Sequence, residues 1–153
     1  MTFFFISVVI FNLVAILIPK RMTPQEIYST ILFALVLDFT VDIVLNLKYD
    51  FYGYFNKGVD FMGFVLVFGL YPAGSTIILN YFPFTKGIKA KVVYILAWSA
   101  FLVLFEWAFD KAGYFYHHQW RLWHSALAYP IILLILAWNL SFIRSINRKK
   151  YID

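Results

Sequence analysis

The sequence predicts an all-α, polytopic integral membrane protein, a bundle of five transmembrane helices, and three observations carry that reading. The chain of 153 residues is 63% hydrophobic and only 14% charged, whereas an ordinary soluble domain is roughly 45–50% apolar and about 25% charged. A globule of 18.0 kDa cannot hide that excess, because a domain of this size still exposes much of its surface. The apolar residues also fall into five runs near the length of a membrane crossing, with the cations gathered between them. This composition excludes a soluble enzyme, a disordered tail and a nucleic-acid-binding module. The net charge of +5 lies in short loops and a tail, so it points to no nucleic acid, and the lack of cysteine excludes disulfides and thiolate metal sites.

The runs cover residues 3–18, 27–47, 61–82, 92–109 and 125–143, read as the spans of a single transmembrane domain, 1–153. A hydrocarbon core of about 30 Å needs roughly 20 helical residues. The last four runs reach that length with a few interfacial residues. The first is short and is expected to thin the bilayer or to anchor through its Phe-rich start. It reads as an uncleaved span, since no cation precedes it and Lys20 and Arg21 follow it directly. Thr23, Pro24 and Glu26 then supply an N-cap, a first-turn proline and the third-position acid of a capping box for the second helix. Pro72 and Pro130, each preceded by a tyrosine, predict kinks in the third and fifth helices. Gly69 and Gly74 beside Pro72 suit close helix packing.

Counting Lys and Arg by side sets the orientation. Lys20, Arg21, Lys86, Lys89, Lys91, Arg144, Arg148, Lys149 and Lys150 fall on one side, against Lys48, Lys57, Lys111 and Arg121 on the other. By the positive-inside rule the N-terminus is outside and the C-terminus cytoplasmic. The second and third spans also resemble the fourth and fifth. Asp42, Gly53-Tyr54-Phe55, Leu70-Tyr71-Pro72 and Asn80 are matched by Glu106, Gly113-Tyr114-Phe115, Ala128-Tyr129-Pro130 and Asn139. Such a match suggests a parallel repeat of two helical hairpins related by an axis along the membrane normal.

Carboxylates inside the spans are the unusual residues. Asp38, Asp42 and Asn46 follow at i, i+4 and i+8 and form one stripe on the second helix, and Glu106 and Asp110 repeat the i, i+4 spacing on the fourth. An ionised side chain at depth costs at least ~2.5–3.5 kcal/mol on insertion scales, so these groups are expected to face each other, a cation or water. Three readings remain open: an ion-pair network with Lys48, Lys111 and Arg121 that only holds helices together, a cation or proton site, and a catalytic metal site. The Asp38-x-x-x-Asp42 spacing is also that of membrane prenyltransferases, but those have about twice as many spans and carry the motif on the cytoplasmic face. The adjacent His117 and His118 point apart on any regular element and make a poor chelate, although His124 could converge with Glu106 and Asp42. The aromatic-dense segments 49–55 and 114–123 read as interfacial loops capping an outer cavity.

Val41-Asp42, Leu47-Lys48-Tyr49-Asp50, Tyr52-Gly53-Tyr54-Phe55, Val59-Asp60, Tyr71-Pro72, Glu106-Trp107, Trp120-Arg121-Leu122-Trp123, Ser125 and Tyr129-Pro130 together resemble a family of small, uncharacterised multi-spanning membrane proteins of Gram-positive, endospore-forming bacteria. The resemblance covers about residues 25–144. It implies a bacterial plasma-membrane origin and carries no activity.

The expected function is a small membrane protein whose outward-opening acidic cavity binds or passes a cation, proton or small polar solute. Asp38 and Asp42 are the midmembrane acceptors, Glu106 is their partner across the bundle, and Asn46 and Asp110 complete the set. His124, Arg121, Tyr129 and Tyr71 form a vestibule. No catalytic residue is assigned, and no cofactor is expected beyond a divalent or monovalent cation. The alternatives are a non-catalytic partner subunit or scaffold, and a membrane-embedded metal-dependent enzyme acting on a lipid. The bilayer is the expected partner, with a second membrane protein or another copy of the chain as further candidates.

Overall fold

A computed structural model describes residues 1–56 and 61–149. Lys57, the Val59-Asp60 pair and Lys150 lie outside the described residues. Five helices dominate: α1 (Thr2–Leu17), α2 (Pro24–Asp42), α3 (Phe61–Asn80), α4 (Ile88–Lys111) and α5 (Leu122–Lys149). Helix α2 runs on into a π-helical segment, Ile43–Lys48, and two short strands, β1 (Tyr52–Tyr54) and β2 (Phe115–His117), join the hairpin tips. Among the described residues four helices are long and apolar enough to cross a membrane, Pro24–Lys48, Phe61–Asn80, Ile88–Lys111 and Leu122–Asn147, while α1 is shorter. Large apolar side chains such as Val36, Leu104, Leu127 and Trp138 stand exposed on the outer faces, the pattern of helices whose surroundings are lipid rather than water.

The helices close a ring. Helix α1 packs on α3, α3 on α2, α2 on α5 and α5 on α4, and Phe3 and Phe11 of α1 meet Phe105 of α4 to complete the circuit. All five run between the same two ends. At one end Phe4, wholly buried, packs against Phe55, Phe109 and Tyr114. At the other, Arg21 N donates to Asn80 Oδ1 (2.7 Å) and Asn80 Nδ2 to Pro19 O (2.9 Å), tying α1 to α3.

Local chemistry explains the helix ends. The capping box is present in full: Glu26 N donates to Thr23 Oγ1 (3.2 Å) and Thr23 N to Glu26 Oε2 (3.0 Å). Glu26 also takes Arg144 Nε (3.0 Å) and one of its terminal nitrogens (3.3 Å), so an α2 cap doubles as the α2–α5 clamp. Lys20 Nζ caps the end of α1 by donating to the carbonyls of Ala15, Ile16 and Ile18. Near Pro72, which lies within the unbroken helix α3, Asn12 Nδ2 donates to Gly69 O (2.8 Å), so α1 serves a backbone carbonyl of α3.

The strands pair antiparallel, Tyr52 with His117, Gly53 with Tyr116 and Tyr54 with Phe115, and Phe55 N donates to Tyr114 O (3.0 Å). The Gly-Tyr-Phe segments thus meet at one end of the ribbon, through Tyr54 opposite Phe115 and Phe55 bonded to Tyr114, where interfacial loops were expected. Gly53 suits this position, because a Cβ on it would run into the Tyr116 ring and force that ring to shift. Phe55 holds a left-handed φ of 48°, uncommon for a bulky residue. Its amide bond to Tyr114 and its ring contacts with Phe4 and Tyr114 hold it there.

Candidate functional site

The ring is tight at the end away from the ribbon and open beneath it. Ile78, Ile95 and Leu133 close α3, α4 and α5 on one another, and Ala34, Leu79, Leu136 and Leu140 seal α2, α3 and α5. Above this floor lies a cavity of about 220 Å³. Its wall is mostly carbon, and its polar side chains are those of Asp38, Tyr52, Tyr54, Tyr71, Ser75, Glu106, His117, Trp120, Ser125 and Tyr129.

Helical spacing puts Asp38 and Asp42 one turn apart on the same face of α2. Asp42 is buried at the junction with the π segment, where Oδ1 accepts Tyr52 Oη (2.7 Å) and Tyr54 Oη (2.9 Å). Tyr54 Oη is 3.2 Å from Tyr71 Oη, carrying the contact on to α3. Asp38 lines the cavity one turn further in, and its Oδ2 is buried with no hydrogen-bond partner among the described residues. Asn46 is buried one widened turn beyond Asp42. Burial pushes the Tyr52 phenol well up from its ordinary value, with the Asp42 carboxylate adding to the effect. Burial likewise raises Tyr54, followed by its neighbours Tyr71 and Tyr52. Both phenols therefore stay protonated and act as donors.

Glu106 of α4 is the better-served acid. Its Oε1 accepts Ser125 Oγ (2.7 Å) and lies 3.2 Å from His117 Nε2, while Oε2 accepts Tyr129 Oη (2.5 Å). Ser125 Oγ in turn accepts Trp120 Nε1 (2.7 Å). His117 Nδ1 is 3.0 Å from Asp110 Oδ1, and Asp110 keeps 31% of its side chain exposed. His117 thus spans a buried and a surface carboxylate. A neutral imidazole donates from one nitrogen only, so donation to both acids requires imidazolium, or else one acid holds the proton.

The structure brings Asp38, Glu106, Tyr71 and Tyr129 to one cavity and sets Asp42 behind the phenols of Tyr52 and Tyr54. It does not bring Asp42 and Glu106 into hydrogen-bonding contact: each has its own set of donors. Among the described residues no Lys or Arg pairs with Asp38, Asp42 or Glu106. Lys48 sits over the Tyr49 ring, and Lys111 and Arg121 are exposed. His124 does not converge on Glu106 and Asp42. Its Nδ1 accepts Arg121 N (2.9 Å) and its ring lies against Trp123 and Trp120. Among the described residues no three His, Asp or Glu side chains assemble as metal ligands, and His117 spends both nitrogens on carboxylates.

The residues that sequence reasoning did not assign to the site are Tyr52, Tyr54, His117, Trp120 and Ser125. The available signal was the matched Gly-Tyr-Phe segments, which pair and carry Tyr52 and His117 opposite each other. Comparison with protein-family models, with curated proteins and with solved structures finds no match.

Proposed function

We propose that this chain is a small protein of the bacterial plasma membrane whose cavity binds or passes a cation, a proton or a small polar solute. In this reading α1 crosses with the other four helices, the ribbon end faces outward, and the two hairpins are a parallel repeat with its axis between their Gly-Tyr-Phe segments. Helix α1 then takes the gap between α3 and α4 that contact between α2 and α5 closes on the other side, which is why the repeat is imperfect.

The observation that carries the reading is Asp38, which shares one cavity with the His117-paired Glu106 and itself meets no Lys, Arg or His among the described residues. An acid that served packing alone would be expected to meet a cationic partner, as Glu26 meets Arg144. The test is flux of protons and alkali cations in proteoliposomes, with thermal melting in parallel. Glu106→Gln should abolish flux while leaving a folded protein. Loss of folding with no flux in the wild type instead favours a scaffold, the second reading, which rests on the hydrogen bonds that Asp42 Oδ1 and both oxygens of Glu106 accept from other elements.

A further inference from the structure

The shape and chemistry of the cavity narrow the ligand, an inference that rests on the cavity reading above. A hard inorganic cation asks for six or more oxygen ligands, but most of this wall is carbon: Leu37, Leu66, Leu70, Leu102 and Phe105 are typical. An apolar body gains from that wall by leaving water, and tyrosine, phenylalanine and tryptophan rings attract a cation over their faces. The polar groups are a minority of the lining, mostly acidic or hydroxylic, with the His117 imidazole and the Trp120 indole held by hydrogen bonds to Asp110, Glu106 and Ser125.

Among those acids the vacancies are unequal. Glu106 has donors on both oxygens, and Asp42 Oδ1 already takes two phenols. Asp38 Oδ2 is the buried carboxylate oxygen left without a hydrogen-bond partner among the described residues, and Asp38 lines the cavity. A buried acceptor of this kind is costly to leave empty, and an ammonium N–H would fill it. An engineered cavity of about 150 Å³ holds benzene, so about 220 Å³ accommodates one ring with a short chain.

We propose that the cavity binds a protonated amine on a small apolar or aromatic body, with Asp38 anchoring the ammonium group and the aromatic wall holding the rest. The experiment is calorimetric titration of the purified wild-type protein in detergent with three probes at neutral pH: 2-phenylethylammonium, its uncharged isostere propylbenzene, and potassium ion. The ammonium should bind and propylbenzene should not. Asp38→Asn should weaken ammonium binding at least about tenfold, the scale of one hydrogen bond to a charged group, and Asp38→Glu should keep most of it. Equal binding of both organic probes, or no effect of Asp38→Asn in a folded variant, overturns the proposal in favour of an apolar-ligand cavity. Binding of potassium without the ammonium overturns it but leaves the cation-cavity reading standing, and no binding of any probe overturns it as well, while the cavity reading itself stands or falls on the flux measurement. The comparison of probes on the wild type decides the matter even if the Asp38 variants fail to fold.

Discussion

Asp42 and Tyr54 show how a carboxylate is kept in an apolar bundle without a basic partner. The two phenols of Tyr52 and Tyr54 hydrogen-bond one oxygen, and a hydrogen bond to a charged acceptor is worth about 1.5–3 kcal/mol. Tyr54→Phe removes one donor while keeping the ring, so it should destabilise the protein by about 1–3 kcal/mol in thermal melts. The same phenols give a signed pH dependence. Their folded-state pKa values lie above the ordinary 10.0, so between the two values the unfolded chain loses protons that the folded one keeps. Their contribution is complete below pH 10 and declines as pH rises beyond it. Ultraviolet titration of the folded protein should find Tyr52 and Tyr54 silent near pH 10, where a free phenol is half ionised. Ordinary titration of both, with stability flat above pH 10, would contradict the burial argument.

At the level of elements, the ribbon decides where the acids' donors stand, since β1 carries Tyr52 and Tyr54 and β2 carries His117. Its weak point is Gly53, which faces Tyr116 in the register. Gly53→Ala puts a methyl group inside contact distance of Tyr116 Oη and Cζ, and overpacking of this sort costs typically about 1–3 kcal/mol. The expected result is a lower melting temperature, partly restored when Tyr116→Ala is added to Gly53→Ala. A Gly53→Ala protein that melts like the wild type would mean that the ribbon bears little load. This element was hidden from the sequence for a physical reason. Strands of three residues offer no period-2 signal, and their tyrosines and histidine suit a membrane interface equally well. The π segment at Ile43–Lys48 was hidden too, because its composition is that of an ordinary apolar helix. The capping box at Thr23–Glu26 was legible, since its chemistry is contained in four consecutive residues. So was the shared face of Asp38 and Asp42, which follows from helical spacing alone.

Considered whole, the molecule was legible wherever one dominant force acts locally. Apolar runs found all five helices, although α4 and α5 extend past the expected 92–109 and 125–143 to Ile88–Lys111 and Leu122–Lys149, their polar ends being helical as well. Which donor serves which acid was not legible. That depends on contacts distant in sequence, such as Tyr129 with Glu106, and on a ribbon joining two hairpin tips. The remaining question at this scale is whether α1, sixteen residues long and about 24 Å at 1.5 Å per residue, crosses with the rest. The chain has no cysteine, so single introduced thiols report cleanly. Thr2, Gly87 and Ala112 are exposed, carry no charge, and mark the start of α1, the start of α4 and the end of α4. In intact bacterial cells a membrane-impermeant maleimide should label Thr2→Cys and Ala112→Cys, and should reach Gly87→Cys only after permeabilisation. Labelling of Ala112→Cys with protection of Thr2→Cys would leave four crossings, with α1 folded back against the bundle. The reverse pattern at Gly87 and Ala112 would turn the cavity toward the cytoplasm.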